Sequence, residues 1–151
     1  MYQRSTGIIL KKIDFKEDDE IITIYSGDFG KIDVLSRGAK KMVAKLTPSL
    51  QLFNWIDFEF VNGKSLKTIT SATVLNNFRK TQEDIFRIKV LMKTVKIIDK
   101  LVTEPEKDSQ LWEFILNFYV VLPNIKLEND EETQTLIDFF ETKVLKILGD
   151  L

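Results

Sequence analysis

The chain has 151 residues, 44% of them hydrophobic, 11% aromatic and 30% charged, and its 22 basic and 23 acidic residues leave a net charge of −1. That length suits one domain or two small ones and supplies a core without covalent staples. With no Cys and no His, disulfides, thiol or imidazole catalysis and Cys/His zinc sites are excluded.

No apolar run approaches the ~18–20 residues of a membrane helix. The start, Met1–Leu10, lacks the apolar stretch and cleavage site of a secretory leader, so a cytoplasmic location is expected. Thr6–Ile13 opens on an apolar run and ends near Lys11-Lys12, which reads as a first strand. Glu20–Tyr25, rich in Ile and Thr, suits a second. Ser26–Gly30 is a turn, and Lys31–Arg37 follows with Ile32, Val34 and Ser36 on one face. Trp55–Val61 alternates Ile56, Phe58 and Phe60 with Asp57 and Glu59. Asn62-Gly63 then supplies the two φ > 0 positions of a type I′ hairpin, and Ser65–Val74 is the return strand. Five short antiparallel strands predict a small barrel or sandwich. Its interior is expected to hold Ile8, Leu10, Ile22, Ile24, Val34, Ile56, Phe58, Phe60 and Ile69.

After Lys80 the apolar period becomes helical. Ile85, Ile88, Met92, Val95, Ile98 and Val102 form one stripe of a helix from about Gln82 to Val102. Leu111, Phe114 or Ile115, Phe118 and Leu122 mark a second helix that stops near Pro123. A polar loop, Glu128-Asn129-Asp130, leads to a third with Leu136, Phe140, Val144 and Leu148, and Gly149 falls where a C-cap belongs. Met92, Val95, Phe114, Phe118, Leu136 and Phe140 are expected to form a core continuous with, or docked on, the barrel. The fold class is α+β: a five-stranded barrel over residues 1–80, then about three helices over 81–151.

The near-neutral total hides an asymmetry. Residues 1–80 carry 13 basic and 9 acidic groups, net +4, whereas residues 81–151 carry 9 and 14, net −5. Residues 31–80 alone hold nine basic and three acidic groups, net +6, which suits a surface that meets polyanions. Arg37, Lys40, Lys41 and Lys45 fall within nine residues around Gly38, where backbone can approach a ligand closely. Such a loop on a barrel makes an electrostatic groove for phosphates, and Lys31, Lys64 and Lys67 extend the basic set. Tyr2, Tyr25, Phe29, Phe53 and Trp55 are candidates to stack on bases, although an aromatic in a small barrel is more often core. Glu17-Asp18-Asp19-Glu20 lacks the spacing of a calcium loop and reads as a solvated acidic turn. No paired carboxylates or activated Lys stand out, so no enzyme and no cofactor or metal are expected.

The run Gly30-Lys31-Ile32-Asp33-Val34-Leu35-Ser36-Arg37-Gly38-Ala39-Lys40-Lys41 resembles the signature of the RecO recombination mediators almost position by position. Thr6–Leu10, the acidic turn with Glu17 and Asp19, Leu50-Gln51-Leu52-Phe53 and Leu66–Ala72 are similar to further segments of that family, with Leu52 where the family has Pro. The resemblance implies an N-terminal OB-fold barrel and a helical domain. It implies binding of single- and double-stranded DNA, annealing of complementary strands and help in loading the RecA recombinase. It also implies RecR and the C-terminal tail of single-strand-binding protein as partners, at the nucleoid. Arg37, Lys40 and Lys41 would be the backbone-contacting residues. Members usually run longer and often carry a four-Cys zinc module, which has no counterpart here. The alternative is a protein-interaction adaptor that keeps the scaffold without mediator activity.

Overall fold

A computed structural model describes residues 1–41 and 44–150. By its contacts the chain divides into two units, Met1–Asn77 with Glu104–Lys107, and Phe78–Thr103 with Asp108–Leu151.

The first unit is a closed barrel of β1 (Tyr2–Phe15), β2 (Asp19–Ser26), β3 (Gly30–Ser36), β4 (Trp55–Asn62) and β5 (Lys67–Asn76), in the order β1-β2-β3-β5-β4. This is the OB fold. The long β1 closes it by pairing twice. Tyr2–Ile8 lie against Val61–Trp55 of β4, and Gly7–Phe15 lie against Ser26–Asp19 of β2. A register shift between Ile9 and Lys11 bends β1 from one partner to the next. Not every pair is antiparallel, as the sequence reading had it. β5 returns antiparallel to β4 and therefore meets β3 in parallel, at Val34 with Lys67 and Leu35 with Thr68.

Ile9, Ile22, Ile24, Ile32, Val34, Leu50, Ile56, Phe58, Phe60 and Ile69 form the barrel core. Directly opposed residues of an antiparallel pair share a face. Ile9 opposite Ile24 therefore points inward, and Ile24 in turn faces Ile32. Ile8 and Leu10 are buried too, but on the other side of β1, so the inward residue expected there is corrected to Ile9. Leu50 comes from a single 3₁₀ turn, Thr47–Leu50, in the β3–β4 connection. Its side chain joins the core that the strands line.

Two turns differ in detail. Asn62-Gly63 does not form a type I′ hairpin, since neither residue has positive φ. A four-residue connection, Gly63–Leu66, is closed instead by the Gly63 N–H donating to the Leu66 carbonyl at 2.9 Å. Between β2 and β3 the Ser26 hydroxyl donates to the Gly30 carbonyl at 2.8 Å and accepts from the Phe29 N–H at 3.0 Å. Gly30 has φ +67°, and a Cβ there would run into the backbone of Glu106. That is where the short segment Glu104–Lys107 lies against the barrel.

The second unit has four helices rather than about three: α1 (Arg79–Glu83), α2 (Ile85–Leu101), α3 (Ser109–Val121) and α4 (Asp130–Leu148). The helix expected from Gln82 to Val102 is broken at Asp84, which leaves the helical region and caps α2 by accepting the Arg87 N–H. The buried stripe of α2 is also shifted. Val90, Leu91, Thr94, Val95 and Ile98 are buried, whereas Ile85 and Met92 are exposed. Thr94 is accommodated because its hydroxyl donates to the Val90 carbonyl at 2.6 Å and meets the Tyr119 hydroxyl at 2.8 Å. Burial pushes the Tyr119 phenol well above its ordinary pKa, the Thr94 bond opposing this in part. Phe118 and Phe140 pack at 4.7 Å between ring centres, with Phe114 5.5 Å from Phe140. Gly149 ends α4 in the left-handed conformation, as its position predicts.

Two measurements check this packing. Phe58→Ala empties a fully buried site beside Phe60, and chemical denaturation should show a loss of about 3–5 kcal/mol. Asp84→Ala removes a cap and should cost about 0.5–2 kcal/mol. Hydrogen bonding from Arg87 holds the Asp84 carboxyl below the usual carboxylate range. The carboxylate's contribution is therefore complete above its unfolded pKa and declines as pH falls through the lower folded one. Wild type and variant stabilities should converge in acid.

Candidate nucleic-acid interface

The β3–β4 connection leaves the barrel at Arg37 and turns at Gly38, where φ is +66°. Side chains seldom adopt that conformation, and a Cβ on Gly38 would find only the flexible Lys41 stem at 3.5 Å. The turn is held from below by the acidic β1–β2 corner. Asp19 accepts the Gly38 N–H at 2.8 Å, and the Asp18 carbonyl accepts the Lys40 N–H at 3.0 Å. The loop then winds on itself, with Lys41 N–H donating to Gly38 O and Ala44 N–H to Lys41 O. The Thr47 hydroxyl donates to the carbonyl of buried Ala39 at 2.8 Å. The acidic turn is thus the clamp of the basic loop, a role its solvated appearance in the sequence did not disclose.

Arg37, Gly38, Lys41, Ala44 and Lys45 line an open hollow of about 350 Å³. Arg37, Lys41 and Lys45 are exposed, and among the described residues no carboxylate pairs with them. Lys40 differs: its ammonium sits 2.7 Å from Asp14. Three cations therefore line the hollow, while the fourth is partly neutralised.

The other basic residues are placed elsewhere. Lys67 pairs with Val34 of β3, three positions before Arg37, and with Asn62 of β4. Lys64 is exposed on the Gly63–Leu66 connection. Lys67 thus lies beside β3, whereas the connection that carries Lys64 follows the end of β4, opposite the start of β1, and neither residue lines the hollow. Lys31 opposes Tyr25 near the start of β3, roughly 20 Å of strand from Arg37. The stacking candidates are not gathered there either. Tyr25 and Phe53 are buried, Phe29 packs edge-on against Phe60 at 5.4 Å, and Tyr2 alone of the five is exposed. Phosphate charge rather than base stacking is what this surface can hold. Among the described residues no acidic cluster has metal-binding geometry.

The family model for the N-terminal part of recombination protein O matches residues 1–78. The chain belongs to the RecO family. The DNA repair protein RecO of Listeria welshimeri is 31% identical over 97% of the chain. Those of Halalkalibacterium halodurans and Bacillus cytotoxicus are 27% and 32% identical over 99% of it. The chain spans 56–58% of the length of these relatives. The family signature quoted from the sequence coincides with β3 and the clamped loop that follows it. No helix among the described residues is long and apolar enough to cross a membrane.

The clamp is open to test. Asp19→Ala should cost about 1–3 kcal/mol by leaving the Gly38 N–H without its charged acceptor. Hydrogen exchange at Gly38 and Lys40 should accelerate while the amides of β2 and β3 stay protected.

Proposed function

We propose that this RecO-family chain is a DNA repair and recombination module that binds DNA by its phosphate backbone and does not catalyse a reaction. The reading extends to annealing of complementary strands and to help in loading RecA onto DNA coated by single-strand-binding protein. RecR and the C-terminal tail of that coating protein are the proposed protein partners, and the cytoplasmic nucleoid is the proposed location. The observation that carries the DNA reading is the convergence of Arg37, Lys41 and Lys45 on one hollow, without carboxylate partners among the described residues. The names of the relatives, DNA repair protein RecO, support the wider role.

Mechanistically, the loop positions a strand and leaves its bases free. Lys supplies point charges, and Arg37 can clasp a phosphate through two N–H groups. A strand held by its backbone presents its base edges outward, which is the state that pairing with a complement requires. Annealing by this route is promotion by proximity: two strands are concentrated on one surface without either sequence being read.

Titrating single-stranded DNA against salt tests the loop. Three phosphate contacts give a log–log slope of about −2. Replacing Arg37, Lys41 and Lys45 by Glu should abolish most of that slope and weaken binding to all sequences alike. Lys40→Ala, which removes a cation already paired with Asp14, should change the slope by well under the ~0.7 of a full phosphate contact. An unchanged slope in the triple variant would exclude this loop from DNA binding and favour the adaptor reading.

A further inference from the structure

The helical unit carries a second surface of opposite charge. On α4, Glu132, Leu136 and Phe139 follow one another at four- and three-residue steps, beside Glu131 and Thr135. The incoming segment Ile125–Asn129 runs alongside, and together they enclose a groove of about 520 Å³. Its floor is apolar: Leu127 is buried, Ile125 and Leu136 are half-buried, and Phe139 is 54% exposed despite its edge contact with Phe114. Residues 125–142 hold Lys126 against Glu128, Asp130, Glu131, Glu132, Asp138 and Glu141, a net of −5.

Some of that charge is already matched. Asp130 pairs with Lys89 at 3.0 Å and Glu128 with Lys126 at 3.3 Å. Glu132 and Asp138 accept neutral hydrogen bonds, from the Glu128 N–H and the Gln134 side-chain amide. Among the described residues, Glu131, Glu132 and Asp138 have no ion-pair partner. An exposed phenyl ring over an apolar floor, bordered by unmatched carboxylates, describes a ligand by complement.

We infer that this groove docks a short amphipathic helical segment of a partner protein, with apolar anchors on one face and Lys or Arg beside them. From Glu131 to Phe139 the groove follows α4 for roughly 12 Å, about two helical turns. That length accepts anchors at i, i+3 or i+4, and i+7. The sign of the charge decides against the other occupants. A nucleic acid is repelled, and a second copy seated groove to groove would set the same carboxylates against each other. The inference is independent of the DNA reading, which rests on the barrel.

The test uses the full chain and a fluorescein-labelled synthetic helix of about 14 residues, roughly 21 Å long, made of Leu at stripe positions and Lys elsewhere. Two control peptides carry Glu in place of Lys, or the same Leu and Lys in an order that breaks the stripe. Fluorescence anisotropy should show each control binding at least about tenfold more weakly. Phe139→Ser and the charge variant Glu131→Lys should each weaken the Leu–Lys peptide by about tenfold or more. The loss in the charge variant should shrink at high salt. Amide chemical shifts on wild-type protein should move at Leu127, Leu136 and Phe139. Phe139 is exposed, so its variant should keep the wild-type circular dichroism; if it does not, the charge variant and the shift map decide. Failure of the wild type to bind, equal binding of the Glu peptide, or shifts confined to the barrel would overturn the inference. So would self-association of the chain that Phe139→Ser abolishes.

Discussion

The barrel unit depends on one strand pairing twice. β1 gives its first half to β4 and its second half to β2, with the bend at Ile9–Lys11 between them. Without that bend a 14-residue strand would project past one partner or the other, and the sheet would stay open with two long edges. Closure has a further effect. It sets the start of β5 beside β3, Lys67 against Val34, while the β1–β2 corner meets the end of β3 through the β2–β3 hairpin, Glu20 against Ser36. The clamp between Asp19 and Gly38 follows from the β2–β3 register, in which Glu20 faces Ser36 and so sets Asp19 beside the first residues of the loop.

The electrostatics follow from how that end is built. Local charges of both signs are interleaved, but their work differs. Asp19 is occupied by a backbone N–H, Asp14 by Lys40, and Glu20 faces Lys12 at 3.6 Å. The acidic groups are used inward and along the strands, leaving Arg37, Lys41 and Lys45 directed at solvent. A net count over residues 31–80 is a coarse guide to such a surface. The selection of which cations remain unmatched is what gives the hollow its character.

Much of the fold was legible in the sequence, and the places where it was not have identifiable causes. Phe58 and Phe60 could be assigned inward because Asp57 and Glu59 separate them. Ile8, Ile9 and Leu10 could not be sorted, since three apolar neighbours carry no alternation and a register shift follows. On α2 two adjoining stripes were available, and the core took the one containing Thr94, whose hydroxyl is satisfied by Val90 and Tyr119. Asp84 reads as an ordinary helix residue until its side chain is seen capping α2. At the candidate site the cluster Arg37–Lys45 was visible as composition. The division of labour within it was not, because Asp14 and Asp19 reach the loop only through the pairing register of β1, β2 and β3. Lys31 shows the converse: it is near the cluster in the signature yet lies toward the other end of β3.

The contact between Gly30 and Glu106 bears on the order in which the molecule is made. Residues 104–107 count with the barrel, although the chain has by then left it at Asn77 and passed through α1 and α2. A ribosome releasing the chain from its N-terminus delivers all five strands before this piece. The barrel therefore remains without its cover over Gly30 until α2 has been synthesised. The first unit is thus completed by sequence that lies within the second, and a single crossover between strand β5 and helix α1 would give one barrel another chain's Glu104–Lys107 segment.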